Sequence, residues 1–224
     1  MFESLVDAAA IQVFESQIHP ALPLVSTFED ENAIVQKAVD KRKREFILGR
    51  QLARTALKEL GVAPGAILSA KDRTPRWPSG VIGSISHCNS WCAAAVGLAQ
   101  DVDFLGIDIE EYSARTMSDS MIQSVCVSDE LEWLSRLPAH DYHRGAMAVF
   151  SAKEAWYKAM YPITGQFLGF HGAQIKFVEF QADFAVWTGR LLESWQPFLR
   201  GAEFSCGKSR FSAEYVASAF IKYT

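Results

Sequence analysis

Trp91-Cys92-Ala93-Ala94-Ala95-Val96-Gly97-Leu98 is a short apolar run of strand length, closed on its far side by the polar residues Gln100 and Asp101. Its aromatic-x-Ala-x-Ala spacing (Trp91, Ala93, Ala95) returns in the second half as Tyr215, Ala217 and Ala219, an internal echo that points to duplication. Working outward, residues 29–60 read as helix, because Phe46, Gly49, Ala53, Ala56, Leu57 and Leu60 recur at helical spacing before Gly61. Arg50 and Arg54 fall four apart on one face of it. Residues 63–80 carry Pro64, Gly65, Pro75, Pro78 and Gly80 and read as a loop that displays Lys71, Arg73 and Arg76. Strand-like runs follow at 81–86, 91–98 and 104–110. The second half repeats the order, with helices expected near 128–137 and 144–160 and strands near 175–180 and 215–221. No linker rich in Gly, Ser or Pro divides the chain. The expected fold class is therefore α+β, with two similar lobes packed as one unit, residues 1–111 and 112–224, joined near 111–119.

With 224 residues, 49% of them hydrophobic and 21% charged, the chain can bury a substantial core without staples. Cys88, Cys92, Cys126 and Cys206 form no CxxC pair and no metal-ligand spacing with histidine, which fits reduced thiols and a cytoplasmic location. Glu3 and Asp7 interrupt the N-terminal apolar residues, and neither a signal peptide nor a membrane span is expected. The net charge of -4 argues against general nucleic-acid binding. Residues 37–76 nonetheless hold an excess of seven positive charges, which suits a small phosphorylated ligand or an acidic partner, or else a solvated helix face.

In Gly106-Ile107-Asp108-Ile109-Glu110 a strand would turn the isoleucines inward and Asp108 and Glu110 to the other face. Two adjacent carboxylates repel unless a proton or cation relieves them, and an all-oxygen pair suits Mg²⁺; an ordinary half-wet strand has the same pattern. In Phe150-Ser151-Ala152-Lys153-Glu154-Ala155-Trp156-Tyr157-Lys158, Glu154 and Lys158 stand one helical turn apart. They form either an exposed ion pair or, with Asp108 and Glu110 across a cleft, a metal or base residue and a phosphate-neutralising lysine; Lys153 shares the phosphate role in that second reading. Gly83-Ser84-Ile85-Ser86-His87 ends a strand in small hydroxyls and a histidine, able to meet phosphate oxygens or to serve as structural hydrogen-bonders.

The ordered set Gly49-Arg50-x-x-Ala53-Arg54, Trp77-Pro78-x-Gly80-x-x-Gly83-Ser84-Ile85-Ser86-His87, Gly106-Ile107-Asp108-Ile109-Glu110 and Phe150-Ser151-Ala152-Lys153-Glu154-x-x-x-Lys158 resembles the 4'-phosphopantetheinyl transferase superfamily. Within it the chain is most similar to the enterobactin synthetase component D group. Phe150 stands where many members have Trp, and Ala155 where many have Ser. The resemblance implies two α+β lobes related by a pseudo-twofold, with coenzyme A as substrate in the cleft between them. It implies Asp108, Glu110 and Glu154 as Mg²⁺ ligands, Lys158 beside the pyrophosphate, Ser86 and His87 at the coenzyme A contact, and Arg50, Lys71 and Arg73 near the 3'-phosphate. Glu154 and Lys158 are the expected catalytic residues, Glu154 being the candidate base. The implied reaction moves phosphopantetheine onto a serine of an apo peptidyl, aryl or acyl carrier protein and releases 3',5'-ADP. Siderophore or other nonribosomal peptide synthesis is the expected setting, and a monomer the expected state. A Mg²⁺-dependent pyrophosphohydrolase would use the same groups with water as nucleophile. Activation of fatty-acid or polyketide carriers would use them on a different acceptor, and a non-enzymatic binder of coenzyme A would need only the basic face.

Overall fold

The computed structural model describes residues 1–112 and 117–224. Strand β1 (Ile11–Gln17) precedes helices α1 (Glu29–Val35) and α2 (Asp40–Glu59), and these lead to strands β2 (Val81–His87), β3 (Trp91–Leu98) and β4 (Val102–Glu111). Helices α3 (Asp119–Val125), α4 (Ser128–Ser135) and α5 (Tyr142–Thr164) follow, then strands β5 (Ala173–Phe180), β6 (Phe184–Leu191), β7 (Glu203–Phe211) and β8 (Tyr215–Tyr223). The strands form two antiparallel sheets, of order β1-β3-β2 and β4-β8-β7-β6-β5, so the fold is α+β.

The echo between residues 91–95 and 215–219 is carried into the pairing register. Trp91 sits opposite Gln17, the last residue of β1, and Tyr215 opposite Glu111, the last residue of β4. Ala93 and Ala95 face Glu15 and Val13, while Ala217 and Ala219 face Ile109 and Ile107. The order β1-β3-β2 thus corresponds to β4-β8-β7, with the β5-β6 hairpin added to the second sheet. Trp91 Nε1 donates to the Tyr215 hydroxyl at 2.6 Å, and the two rings meet edge-on. The four alanines are buried with Ile107 and Ile109 in one core, where small side chains let the sheets approach.

Two expectations change. The helix read at 29–60 is two helices, α1 and α2, because Glu31 folds back to pair with Arg54. In one continuous helix those residues would be about 34 Å apart. Residues 104–110, read with the first lobe, belong to β4, whose ladder is with β8 in the second sheet. Its remaining edge meets β2 through side chains: the amides of Ile107 and Ile109 donate to the hydroxyls of Ser84 and Ser86, so period-two serines stand in for a backbone ladder at those two amides. The join expected at 111–119 lies partly outside the described residues.

Helix α5 crosses β4 at very short range. A Cβ on Gly106 would come within 2.0 Å of the Ala155 carbonyl oxygen and 2.6 Å of the Ala159 nitrogen, so only glycine lets α5 lie this close. Among the described residues no helix is long and apolar enough to cross a membrane, and the cysteines are free thiols.

Candidate active site

The Gly106 contact brings the α5 side chains to the carboxylate face of β4. Lys158 Nζ donates to Asp108 Oδ1 at 2.6 Å and to Ser86 Oγ at 2.9 Å. Ser86 in turn donates to the same Asp108 oxygen at 2.9 Å. The exposed Glu154–Lys158 ion pair is therefore not what forms; Lys158 pairs with Asp108. Asp108 is 2% exposed, so the half-wet strand does not describe it either. Its second carboxylate oxygen, Oδ2, is buried without a hydrogen-bond partner, and such an orphan costs about 1–3 kcal/mol unless something completes it.

Electrostatics show how crowded this point is. The Glu110 carboxyl is pushed up to about 8, first by burial, then by Asp108 and Glu154, with Lys158 opposing. Glu154 is raised too, by burial first and by Asp108, again against Lys158. Burial alone would lower the Lys158 ammonium, but Asp108, Glu154 and Glu110 together outweigh it and raise its pKa above the ordinary lysine value. Three acids thus share one lysine, and the excess negative charge invites a cation or a proton. Among the described residues no three His, Cys, Asp or Glu side chains form a ready-made metal cluster. The donor set nonetheless fits Mg²⁺, which takes one or two carboxylates and completes its shell with substrate phosphates and water.

Ser86, expected at the coenzyme A contact, is 3% exposed and commits its hydroxyl to Asp108, Lys158 and the Ile109 amide. That hydroxyl bridges the acid and the lysine. His87 accepts from Arg42 Nη1 at 2.7 Å on Nε2, with Glu45 3.7 Å from the same nitrogen. Burial, foremost, lowers its pKa, helped by Arg42 and Lys158 and opposed by Glu45 and Asp108. That is a neutral imidazole at physiological pH.

Grooves leave this point in different directions. One is basic and is lined by Arg42, Arg50, Ser69, Arg73 and His87. Arg50 is largely committed inside the protein: Nε donates to the Ile67 carbonyl, Nη2 to Ser69, and the guanidinium stacks on Phe46. Burial, foremost, lowers its pKa to about 10. Arg73 holds a left-handed backbone, φ 72°, at the loop tip, and Lys71 is exposed on the same loop without lining this groove. A second groove, apolar, is lined by Glu154, Tyr157, Phe167, Leu168, Phe170 and Trp195. Phe167 is 83% exposed at its mouth. A third opens between the halves of the chain, lined by Lys41 and His87 from the first, by Met117, Met147 and Phe150 from the second, and by Glu110 of β4.

Sequence reasoning left out Arg42, Glu45 and the apolar groove beyond its α5 residues. The first two sit in a stretch that also reads as a solvated helix face; the apolar run Phe167-Leu168-Gly169-Phe170 just beyond Gly165 was the available signal for the third. Lys153, given to phosphate with the other lysines, is instead buried, with its ammonium on Glu130, the Val125 carbonyl and the Phe170 carbonyl.

The chain is similar to known proteins over most of its length. The family model of the 4'-phosphopantetheinyl transferase N-terminal domain matches residues 30–97, and that of the 4'-phosphopantetheinyl transferase superfamily matches residues 104–207. The chain is 38% identical to 4'-phosphopantetheinyl transferase Svp of Streptomyces mobaraensis, covering 86% of this chain and 76% of that protein. It is 34% identical to 4'-phosphopantetheinyl transferase PptT of Mycobacterium tuberculosis, over 80% of this chain and 78% of the relative. Enterobactin synthase component D of Salmonella typhi is 37% identical over 56% of this chain and 51% of its own length.

Proposed function

The chain belongs to the 4'-phosphopantetheinyl transferase superfamily, and from that premise we propose how its site moves phosphopantetheine from coenzyme A to a carrier protein. The observation that carries the reading is the meeting of β4 and α5, where Lys158 and Asp108 stand 2.6 Å apart with Glu110 and Glu154 in the same field. The nucleotide half of coenzyme A suits the basic groove, where Arg42, Arg73 and the neutral His87 offer donors and Arg50 braces the wall. Lys71 on the adjoining loop adds positive charge. The pantetheine arm, with little charge to satisfy, suits the apolar groove beside Glu154.

Between the two lies the pyrophosphate. Asp108, Glu110 and Glu154 border the place where Mg²⁺ would sit, one or two of them as its direct ligands, with phosphate oxygens and water completing the shell, and when bound it would neutralise charge on the phosphate oxygens. Lys158 supplies a fixed positive charge for the charge that grows as the bridging oxygen leaves. The carrier serine attacks the β-phosphorus, the bond to that oxygen breaks, and 3',5'-ADP departs. Glu154 accepts the serine proton, a role for which its raised pKa suits it. The third groove, open between the halves and lined in part by Glu110, suits the approach of the carrier. Similarity to enterobactin synthase component D supports a carrier from siderophore or other nonribosomal peptide synthesis. The free thiols support a reducing, cytoplasmic setting, and a site drawn from both halves of one chain supports a monomer.

The test is to incubate the enzyme with coenzyme A and Mg²⁺, with and without an apo carrier. Transfer predicts coenzyme A loss that depends on the carrier and matches its mass gain. Steady coenzyme A breakdown without a carrier, and no mass gain, would replace the transferase reading with the pyrophosphohydrolase.

A further inference from the structure

Two buried acid–base pairs recur at one spacing. Glu31 on α1 pairs with Arg54 on α2 at 2.5 Å, and Glu130 on α4 pairs with Lys153 on α5 at 2.8 Å. Each base lies 23 residues after its acid, and each pair joins a short helix to the long helix that follows it. Both acids are buried, at 0% and 2% exposure, and Lys153 is 4% exposed.

In each half the acid also takes one amide from the segment beyond the long helix. Glu31 Oε1 accepts from the Ile67 amide at 2.8 Å, and Glu130 Oε1 accepts from the Ile175 amide at 2.6 Å. The first pin fixes the start of the basic loop: the Ile67 carbonyl receives Arg50 Nε, and Ser69, Ala70 and Arg73 then line the basic groove. On the other side, Lys153 donates to the Phe170 carbonyl at 2.8 Å, and Leu168 and Phe170 form a wall of the apolar groove. With its ammonium bound to Glu130, Val125 and Phe170, Lys153 has no donor left for phosphate. A pair kept only for stability could be replaced by apolar residues at little cost.

We infer that these pairs are positioning devices, one for each half of the donor: Glu31–Arg54 sets the wall that takes the nucleotide, and Glu130–Lys153 sets the wall that takes the pantetheine arm. The inference rests on assigning the two grooves to the two halves of coenzyme A.

The product 3',5'-ADP separates the roles, because it has the nucleotide and lacks the arm. KM for coenzyme A and Ki for 3',5'-ADP are measured for wild type, Lys153→Gln, Glu130→Gln, Arg54→Gln and Glu31→Gln. The two second-half variants should raise KM about tenfold, the scale of losing an orienting partner, with Ki within about twofold of wild type. The two first-half variants should raise KM and Ki together. Where a single change unfolds the chain, Glu130→Leu/Lys153→Met removes both charges at once; its melting temperature should recover while KM stays high. Folded variants with wild-type KM, a paired variant that recovers both stability and KM, or equal effects on KM and Ki from both pairs would each overturn the inference. A wild-type enzyme that leaves the carrier unmodified would instead sink the functional reading beneath it.

Discussion

Replacing Glu154 by Gln keeps the shape and removes both charge and basicity. Because burial raises the pKa of this carboxyl, its charged form is a burden on the fold, and Gln relieves that burden. The variant should melt at or above the wild-type temperature while losing roughly 10²- to 10⁴-fold in kcat, the range for a lost general base. Glu110 gives a pH signature. An ordinary Glu carboxyl titrates near 4.5, and Glu110 in the fold is pushed up to about 8. Between those values the folded chain keeps a proton that the unfolded chain has released. Its contribution therefore makes stability fall as pH rises through that window, by at most about 1.4 kcal/mol per pH unit and less with solvent screening. Urea midpoints from pH 5 to 8 in metal-free buffer should show a steeper decline for wild type than for Glu110→Gln; identical slopes would contradict the shift. Arg42 is exposed where Arg50 is braced inside. Arg42→Ala should accordingly raise KM for coenzyme A more than KM for dephospho-coenzyme A, with stability little changed. Asp108, Glu110, Glu154 and Lys158 were legible in the sequence as acids and a base in ordered motifs. Their partners were not: the pairing of Lys158 with Asp108, rather than with Glu154 one turn away, depends on how closely α5 approaches β4.

That approach belongs to Gly106. Gly106→Ala places a methyl within 2.0 Å of a helix carbonyl, and backbone on both sides cannot yield as a flexible side chain would. A cost of about 1–3 kcal/mol is expected for such overpacking, or roughly 2–4 °C in melting temperature for each kcal/mol at this chain length. The displaced α5 should lower activity beyond the loss of folded protein, as measured by kcat per folded site. The helical pattern at 144–160 extends in the fold over Tyr142–Thr164, because Pro162 sits in the last turn and Gly165 closes the helix in the left-handed conformation. The break between α1 and α2 was illegible because it is set by the Glu31–Arg54 contact, a tertiary interaction that overrides a continuous helical pattern. Strands β1, β6 and β7 also escaped: β1 carries Gln12, Glu15 and Gln17 on a half-exposed surface, and β6 and β7 are interrupted by Gly189 and Gly207.

At the scale of the molecule, the aromatic-x-Ala-x-Ala echo was legible because small residues are needed wherever the two sheets press together. The place of β4 was not, since an alternating strand does not state which sheet it joins; serine hydroxyls from β2 and a ladder from β8 make it the seam between the halves. The seam is also where we propose the chemistry, and that proposal requires both halves in one folded unit. The most direct test is the intact mass of an apo carrier after incubation with coenzyme A, Mg²⁺ and either wild type or Glu154→Gln at equal folded concentration. The account predicts one added phosphopantetheinyl group and matching 3',5'-ADP release with wild type, and an unmodified carrier with the variant over the same interval. Equal conversion by both proteins would contradict the assignment of the chemistry to this seam.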